Sequence, residues 1–462
     1  MRAGQPGSTE TQRVLSPAQL NGDWSMAENA AVTLSANPIP FAVQGPSGAC
    51  GPSTANTTWA SCFPNNQIPT GNFNSIATSL ASTYNPTPNY TSPAGDPNYY
   101  TWTSNNSVLD DQFIGRLDEN FTPNNKLWLV VFEEHNNSLT PIPFSGSTLP
   151  GFASNNDAQY RQYIASYTRV FSSTVLNELR GGYTRLNFKS GNPVTVTDPS
   201  TYGFKNIVPQ DGSAAGLPTI SISKYFTLGT SSNGPQPRID QTMQVDDNLS
   251  VVLGKNTLKF GYSGRRFQVY NNFDARNSGS FSFTSAGSQY STGDPGLDFL
   301  MGVPTTYLQN SSNLINVRAY EDYMYGQDSY RATSNLTLNF GLGWQIDTPL
   351  NNFQQGGRGV ICFQPTAQST VFPTAPLGMT YPGDKGCSLA GYSTDYNHVA
   401  PRFGFALSPD LGALSGGASH KLSIRGGWGI YFNRTEEEGN LQNLGIPPFG
   451  LGSKDRKSVA QG

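Results

Sequence analysis

The sequence is poor in charge and contains no long apolar run. Only 13% of its 462 residues are charged, against about 25% in ordinary soluble domains. The absence of any apolar stretch of about 18 residues or more excludes transmembrane helices. The net charge of -3 gives no reason to expect a nucleic acid as a partner. Transmembrane helices are therefore excluded, and a nucleic-acid partner is not expected.

Motifs for catalysis and metal binding are also missing. Neither the zinc-protease pattern H-E-x-x-H nor the hydrolase pattern G-x-S-x-G occurs. The histidines His135, His398 and His420 are scattered, and each is interpreted as a surface residue. The acidic run Glu436 to Glu438 is interpreted as a solvated surface, with loop calcium binding as the alternative. We expect no catalytic residue, no metal site and no cofactor, and hence no enzyme.

The N-terminus, "MRAGQPGSTETQRVLSPAQL", lacks the apolar segment of a signal peptide. Two explanations stay open at this point. Either the protein is cytoplasmic, or the chain begins inside a longer gene product.

Cysteines are few and fall as two local pairs in loop-rich segments. Cys50 and Cys62 form one pair, and Cys362 and Cys387 form the other. No C-x-x-C occurs and no histidine lies at ligand spacing, so zinc is not expected. We predict two loop disulfides, Cys50–Cys62 and Cys362–Cys387, in an oxidising compartment. The alternative is four unrelated thiols.

In contrast, glycine, proline and aromatic residues are abundant, which favours many strands joined by turn-rich loops. The stretch "NLTLNFGLGWQIDTPL" (335–350) alternates between large apolar and small or polar residues. We predict one lipid-facing set, namely Leu336, Leu338, Phe340, Leu342, Trp344 and Ile346. We predict the intervening residues Asn339, Gly341, Gly343 and Gln345 to face the lumen of a barrel, with Trp344 near an aromatic girdle.

The stretch "KLSIRGGWGIYF" repeats this alternation. Its predicted lipid-facing residues are Leu422, Ile424, Trp428, Ile430 and Phe432, and Arg425 is predicted to face the lumen. Strand length agrees with a membrane span, because the ten steps from Leu336 to Ile346 cover roughly 33 Å. A tilt of about 40° reduces this length to about 25 Å, the height of the apolar band of an outer-membrane barrel.

Five hairpins follow one another along the chain, with short turns inside them and connections of about 20 residues or more between them. This alternation indicates short turns on one side of a membrane and long extracellular loops on the other. The predicted strand pairs are 111–121 with 126–135, 158–171 with 175–188, 238–252 with 257–270, 316–331 with 335–350, and 399–408 with 420–433. A short strand is also possible at 279–285.

These observations predict an all-β fold, an antiparallel transmembrane β-barrel of which about ten to twelve strands are present. Residues 1–110 are expected to form a loop-rich extracellular segment with a short helix near 74–83. Residues 111–434 are expected to form the partial barrel, and residues 435–462 a loop or truncated end. The alternation is lost after Ser263, which indicates either a bulge at Gly264 to Arg266 or a strand end outside the bilayer.

Several segments resemble TonB-dependent outer-membrane receptors, in particular the Oar-like group of Acidobacteria. The similar segments are "CFPNNQIPTGNFNSIATSLASTYNPTPN", "DDQFIGRLDENFTPNNKL", "FSSTVLNELRGGYTRL", "GKNTLKFGYSGRRF", "GLDFLMGVP", "YGQDSYRATSNLTLNFGLGWQIDTP", "NHVAPRFGFALSP" and "LSIRGGWGIYFNR". The resemblance implies a larger plugged barrel that takes up a bulky nutrient, driven by the inner-membrane TonB complex. In such a barrel, Gly341 and Gly343 are expected to leave room for the plug. It also implies location in the cell outer membrane, in contact with its lipid. The chain is expected to be a fragment, since a signal peptide, a plug and about half of the strands are missing.

Two other interpretations stay open. The first is a secreted or surface β-rich binding protein, such as an adhesin or a carbohydrate-binding module, with loop aromatics such as Trp59, Tyr84 and Trp102 as possible sugar-stacking residues. The second, weaker one is a porin-like channel.

Overall fold

The long strands of the chain form one open antiparallel sheet in the computed structural model. The structure describes residues 2–4, 8–25, 32–352, 359–409, 422–433, 438–443, 445–450 and 452–455. The sheet has 12 strands. They are β1 (Arg2–Gly4), β2 (Ser107–Thr122), β3 (Asn125–Thr140), β4 (Ser154–Ser172), β5 (Val175–Pro193), β6 (Gln236–Leu253), β7 (Asn256–Phe273), β8 (Asn313–Arg331), β9 (Leu336–Asp347), β10 (Asn351–Asn352), β11 (Asp395–Leu407) and β12 (Ile424–Gly429).

Strand order follows chain order, because each hairpin pairs with the next hairpin along the chain. The path is β1-β2-β3-β4-β5-β6-β7-β8-β9-β11-β12, and β10 pairs with β8 beside it. In the part of the chain that the structure describes, β1 and β12 do not pair, so the sheet is not closed. The predicted all-β, antiparallel sheet with about ten to twelve strands is confirmed.

The strands are longer than the alternation predicted, since β4, β5 and β8 each have 19 residues. The turns inside the first four hairpins are short, and the turn between β11 and β12 falls mainly on residues 410–421, outside the described residues. The connections between hairpins cover residues 141–153, 194–235, 274–312 and 348–394. The first of these is shorter than expected, and the other three are long.

A second unit packs at the end of the sheet from which the long connections emerge. We call it the cap, and it comprises residues 8–104 as far as they are described, with the connections 141–153, 194–235 and 274–312. Its helices are α1 (Pro17–Leu20), α2 (Trp59–Cys62), α3 (Ser75–Tyr84) and α4 (Pro295–Met301), with 3₁₀ turns at Thr70–Asn72, Pro199–Tyr202 and Gly212–Ala214. Its strands are Ser8–Arg13, Val43–Gly45, Gly48–Cys50, Tyr99–Ser104, Thr219–Ile222, Thr227–Leu228, Ser280–Phe283 and Thr306–Asn310.

Helix α3 is the helix expected near residues 74–83, and its bounds follow from local chemistry. The side chain of Asn74 accepts hydrogen bonds from the backbone N–H groups of Ile76 and Ala77, which caps the first turn. The helix ends before Asn85, which precedes a proline and is therefore biased towards extended backbone. Its buried residues, Ala77, Leu80 and Ala81, have helical spacing.

One continuous hydrophobic core holds the cap together. Trp24, Trp59 and Phe63 from the N-terminal segment are fully buried in the same cluster as Leu217 and Leu297 from two of the long connections. The segment 1–110 is therefore not a separate folding unit. It shares its core with connections that lie far along the chain.

A smaller core covers the inner side of the sheet near β7 and β8. Phe267, Val269 and Val317 are buried there against Tyr381 of the connection 348–394 and against Phe449. The pairing of β7 with both neighbours continues through Gly264 to Arg266 without a register shift, so the structure has no bulge there. The alternation changes phase because apolar residues beyond this point face a covering connection instead of lipid.

The segment predicted to be a loop or truncated end, residues 435–462, contains regular structure where it is described. It includes helix α5 (Glu438–Asn443) and the strand Gly452–Asp455, which pairs with Tyr307 to Asn310 of the cap. The remaining strands, Cys362–Phe363 and Met379–Thr380, form a small ladder within the connection 348–394.

Candidate membrane-facing and inner surfaces

Strand register divides the long sheet into two faces. Leu342 of β9 lies opposite Gly326 of β8 and Pro401 of β11, and Phe340 lies opposite Phe403. Residues that lie opposite each other share a face, and successive residues alternate between faces. We call the face that carries Phe340 and Leu342 the outer face, and the opposite face the inner face.

The outer face is apolar and open. Phe340 is 46% exposed, Leu342 57% and Trp428 62%. Exposed apolar surface of this extent marks a surface that contacts a partner or lipid. Of the predicted lipid-facing residues, those that the pairing places on the outer face are Leu336, Leu338, Phe340, Leu342, Trp344, Ile346, Ile424 and Trp428.

The other three members of that set lie beyond the ends of β12. Leu422 precedes the strand and Ile430 follows it, and both side chains are exposed. Phe432 departs from the prediction, because its ring stacks on that of His398 with 4.4 Å between the ring centres. His398 lies opposite Gln345, on the inner face. The alternation fails at Phe432 because the regular strand has already ended at Gly429.

Aromatic residues mark the end of the outer apolar band that is nearer the long connections. Tyr163 of β4 and Tyr183 of β5 lie directly opposite each other, and their rings stack with 6.1 Å between centres. Trp344 donates a hydrogen bond from its indole Nε1 to the backbone oxygen of Tyr396, at 2.8 Å. Such girdles are typical of barrel surfaces at the boundary between lipid and water.

Several carboxylates interrupt the outer face, among them Asp247, Asp322 and Asp328, and the sequence analysis did not single them out. Asp247 lies opposite Tyr262 and Leu179, and its Oδ1 accepts a hydrogen bond from Asn177 Nδ2 at 2.5 Å. Asp328 lies opposite Phe340, close to the turn between β8 and β9. The outer face is therefore predominantly, but not uniformly, apolar.

The inner face carries the residues predicted to face the lumen. Asn339, Gly341, Gly343 and Gln345 all lie on it, and Arg425 of β12 joins them opposite Ala406 of β11. Asn339 Oδ1 accepts a hydrogen bond from Ser329 Oγ at 2.7 Å. Gln345 Nε2 donates to Asp347 Oδ2 at 2.8 Å.

Fixed charges line the same face further along the sheet. Glu178 Oε1 accepts hydrogen bonds from Arg180 Nη2 at 2.7 Å and from Ser166 Oγ at 2.9 Å. The guanidinium group of Arg180 lies 5.5 Å from the ring centre of Trp128. These residues were missed because they belong to strands whose two faces are both partly apolar, as in "KLWLVVF".

Arg402 of β11 also lies on the inner face, directly opposite Gly341. Its guanidinium carbon lies 4.7 Å from the ring centre of Tyr431 and 5.5 Å from that of Tyr323. A groove of about 510 Å³ runs beside it along the inner face, past Asn339 and Gly341. The pattern "VAPRFGFALS" contained the signal for Arg402, since it falls in the polar phase of an apolar strand.

The space above one inner glycine is already filled. A Cβ built on Gly343 would come within 2.8 Å of ring carbon Cζ of Tyr323. The expectation that this glycine leaves room for a plug is therefore wrong, because the room is taken by a tyrosine of the neighbouring strand. Gly341 has no such neighbour, and a Cβ there would lie 3.5 Å from Gln327 Cβ.

Both predicted disulfides are present, Cys50–Cys62 and Cys362–Cys387. The first lies inside the core of the cap, and the second closes part of the connection 348–394. Among the described residues there is no group of three or more His, Cys, Asp or Glu side chains that could hold a metal ion. Glu436 and Glu437, considered for calcium, lie outside those residues. None of the described helices is both long enough and apolar enough to cross a membrane.

The family comparison confirms the predicted fold class, an outer-membrane β-barrel. Residues 1–461 match the family described as "Outer membrane beta barrel domain". A search of the curated proteins found no match. Among solved structures, the chain is similar to the copper transporter OprC, with 11% identity and a TM-score of 0.35, over 74% of this chain and 39% of that one. It is also similar to the outer membrane transporter YddB from Escherichia coli, with 8% identity and a TM-score of 0.26, over 70% of this chain and 47% of that one. The chain thus spans less than half the length of either protein.

Proposed function

We propose, from the premise that the chain belongs to the outer membrane beta barrel domain family, that it forms part of an energy-coupled transporter for a bulky nutrient. The family places the protein in the outer membrane, with lipid around its barrel. Transport, energy coupling and the nutrient are the parts that we propose. No catalytic step is assigned to the chain.

The observation that supports this proposal is the contrast between the two faces of the long sheet. Leu342 and Trp428 extend from the outer face into the space that lipid would occupy. Arg402 and the Arg180–Glu178 pair lie on the inner face. Charged side chains at the depth of the membrane are tolerated only beside water or protein. A sheet with an apolar outer face and a polar inner face suits the wall of a barrel with a polar interior.

Energy coupling is the finer part of the proposal. It rests on the segments similar to TonB-dependent receptors, in particular the Oar-like group of Acidobacteria, which occur in order along the chain. In the complete protein, a plug domain would contact the inner-membrane TonB complex. The two faces of the sheet are equally compatible with a passive channel, so coupling needs its own test.

An uptake assay in cells tests the proposal. The complete gene product is expressed in an outer-membrane host, and uptake of labelled oligosaccharide, siderophore and peptide is measured with and without a working TonB complex. We expect saturable uptake of one class that stops when TonB is removed. Unsaturable uptake that does not depend on TonB would instead identify a porin-like channel. Surface binding without uptake would identify a surface binding protein.

A further inference from the structure

A pocket lies in the cap where segments distant in sequence meet. Its volume is about 390 Å³, within the range of small-molecule sites. Tyr84 at the end of α3 and Trp102 of the strand Tyr99–Ser104 form part of its wall. Phe152 from the connection 141–153 and Tyr202 from the connection 194–235 complete the aromatic lining.

The lining is uncharged and has both apolar and polar character. No Asp, Glu, Lys, Arg or His is among the residues that line the pocket. The rings of Tyr84 and Phe152 pack with 4.7 Å between centres, inclined by 44°. Thr195 and Thr230 add hydroxyl groups beside these rings. A charged ligand would lose its hydration here without gaining an opposite charge, so the pocket favours a neutral one.

The hydroxyl groups of Tyr84 and Tyr202 are hydrogen-bonded to each other. Burial and this neighbour together raise the pKa of Tyr84 to about 12. A tyrosine hydroxyl can donate as well as accept hydrogen bonds.

One donor in the lining has no acceptor. The indole N–H of Trp102 is shielded from solvent and has no hydrogen-bond partner among the described residues. Buried donors are normally paired, and tryptophan N–H groups usually find a partner. A pocket ligand that carries acceptor oxygens therefore suits this lining.

We propose that this pocket binds an uncharged sugar ring of an extracellular oligosaccharide. A sugar ring has apolar C–H faces and a rim of hydroxyls, and the pocket offers aromatic rings with hydroxyl and N–H groups between them. The cap lies at the end of the sheet with the long connections, which is the external side in barrels of this kind. Two of the aromatic residues considered from the sequence, Tyr84 and Trp102, meet here, whereas Trp59 is buried in the core of the cap.

This inference goes beyond the proposed transport, and a binding measurement separates the two. The full chain is solubilised in mild detergent and titrated by calorimetry with maltohexaose and with cellohexaose, two neutral glucose oligomers of different linkage. A proline-rich peptide serves as the competing class of ligand, because prolines also line the pocket. Binding without uptake would leave the pocket proposal standing and reject transport, and the reverse result would do the opposite.

Three variants localise the binding. Trp102→Leu removes the indole, and we expect at least tenfold weaker binding of whichever oligosaccharide binds. Tyr202→Phe removes one hydroxyl but keeps the ring, so it tests the site even if Trp102→Leu fails to fold, and we expect a loss of several-fold. Phe363→Leu is the matched control, because Phe363 is an exposed aromatic residue outside the pocket, and its affinity should be unchanged.

Three results would overturn the proposal. The first is that neither oligosaccharide binds at millimolar concentration. The second is that the peptide binds and the sugars do not. The third is that Phe363→Leu loses as much affinity as the folded pocket variants, which would place the binding elsewhere.

Discussion

The ring of Tyr323 on β8 covers Gly343 on β9, where a Cβ would come within 2.8 Å of the ring carbon Cζ. The same ring also stacks on Tyr325 with 5.9 Å between the ring centres. Arg402 lies on the same ring, with 5.5 Å between its guanidinium carbon and the ring centre. A glycine on one strand and an aromatic ring on the next therefore act together as one packed unit of the inner face.

Gly343→Ala should destabilise the sheet by about 1–3 kcal/mol, the usual cost of overpacking a filled site. The matched control is Gly341→Ala, two residues earlier on the same face, where a Cβ would be 3.5 Å from its nearest neighbour. Urea unfolding of the full chain in detergent measures both. Equal destabilisation by the two substitutions would mean that the Tyr323 ring is not the cause.

Leu342→Arg should impair membrane insertion, because an arginine near the middle of the lipid-facing band costs about 2–4 kcal/mol. Leu338→Arg, on the same face of β9, should behave alike. Asn339→Arg should be tolerated, since its side chain extends from the inner face. The amount of folded protein in the outer-membrane fraction is the measurement. A similar loss for all three variants would indicate a packed soluble core instead of a lipid-facing surface.

Removal of the disulfide inside the cap by a double substitution, Cys50→Ala with Cys62→Ala, should destabilise the cap by about 3 kcal/mol. The bond closes a segment of sequence separation 12, and both cysteines are buried in the cap core. Hydrogen exchange should become faster in the cap and stay unchanged in β4 and β5. Uniformly faster exchange would show that cap and sheet unfold as one unit. Four free thiols in natively exported wild-type protein would remove the premise.

The cap should lose stability as the pH rises from about 4 to about 7. Burial raises the pKa of Asp298 to about 6, against the opposing effect of hydrogen bonds from Ser291, Thr292 and Ser285. Burial and the nearby Asp211 likewise raise the pKa of Asp274 to about 6. Because both folded pKa values lie above the unfolded ones, the folded cap binds more protons in this interval, and its free energy of unfolding falls with pH.

The expected loss is about 1–3 kcal/mol for each group. The combined variant Asp274→Asn with Asp298→Asn should flatten the pH dependence of cap unfolding, followed by hydrogen exchange at several pH values. Measurements stay above pH 4 to avoid the effect of another carboxylate. The hydroxyl of Ser369 and other hydrogen bonds hold the pKa of Asp384 low, so its contribution to stability is lost only as the pH falls below about 4. That carboxylate stabilises the fold only when ionised. A rise in cap stability with pH would contradict the assignment.

The inner network of Arg180, Glu178 and Trp128 shows where sequence reasoning reached its limit. Trp128 belongs to β3, and Glu178 and Arg180 belong to β5. The sequence predicts both strands, but neither strand has one clearly apolar face. Only the pairing of β3, β4 and β5 shows that these three side chains share the inner face. In contrast, the faces of β9 could be predicted, because its alternation is uninterrupted over the whole strand.

The sequence by itself determined the long strands, their hairpin order, the division of β9 into two faces, helix α3 and both cysteine pairs. These features depend on residues close together in the chain: a side-chain period of two, short turn sequences and a capping asparagine. Only the tertiary structure decided that the N-terminal segment shares one core with three connections, that Tyr323 fills the space above Gly343, and that Phe432 stacks on His398. Contacts between residues far apart in the chain follow from the pairing and packing of whole elements, and no local pattern in the sequence contains that information.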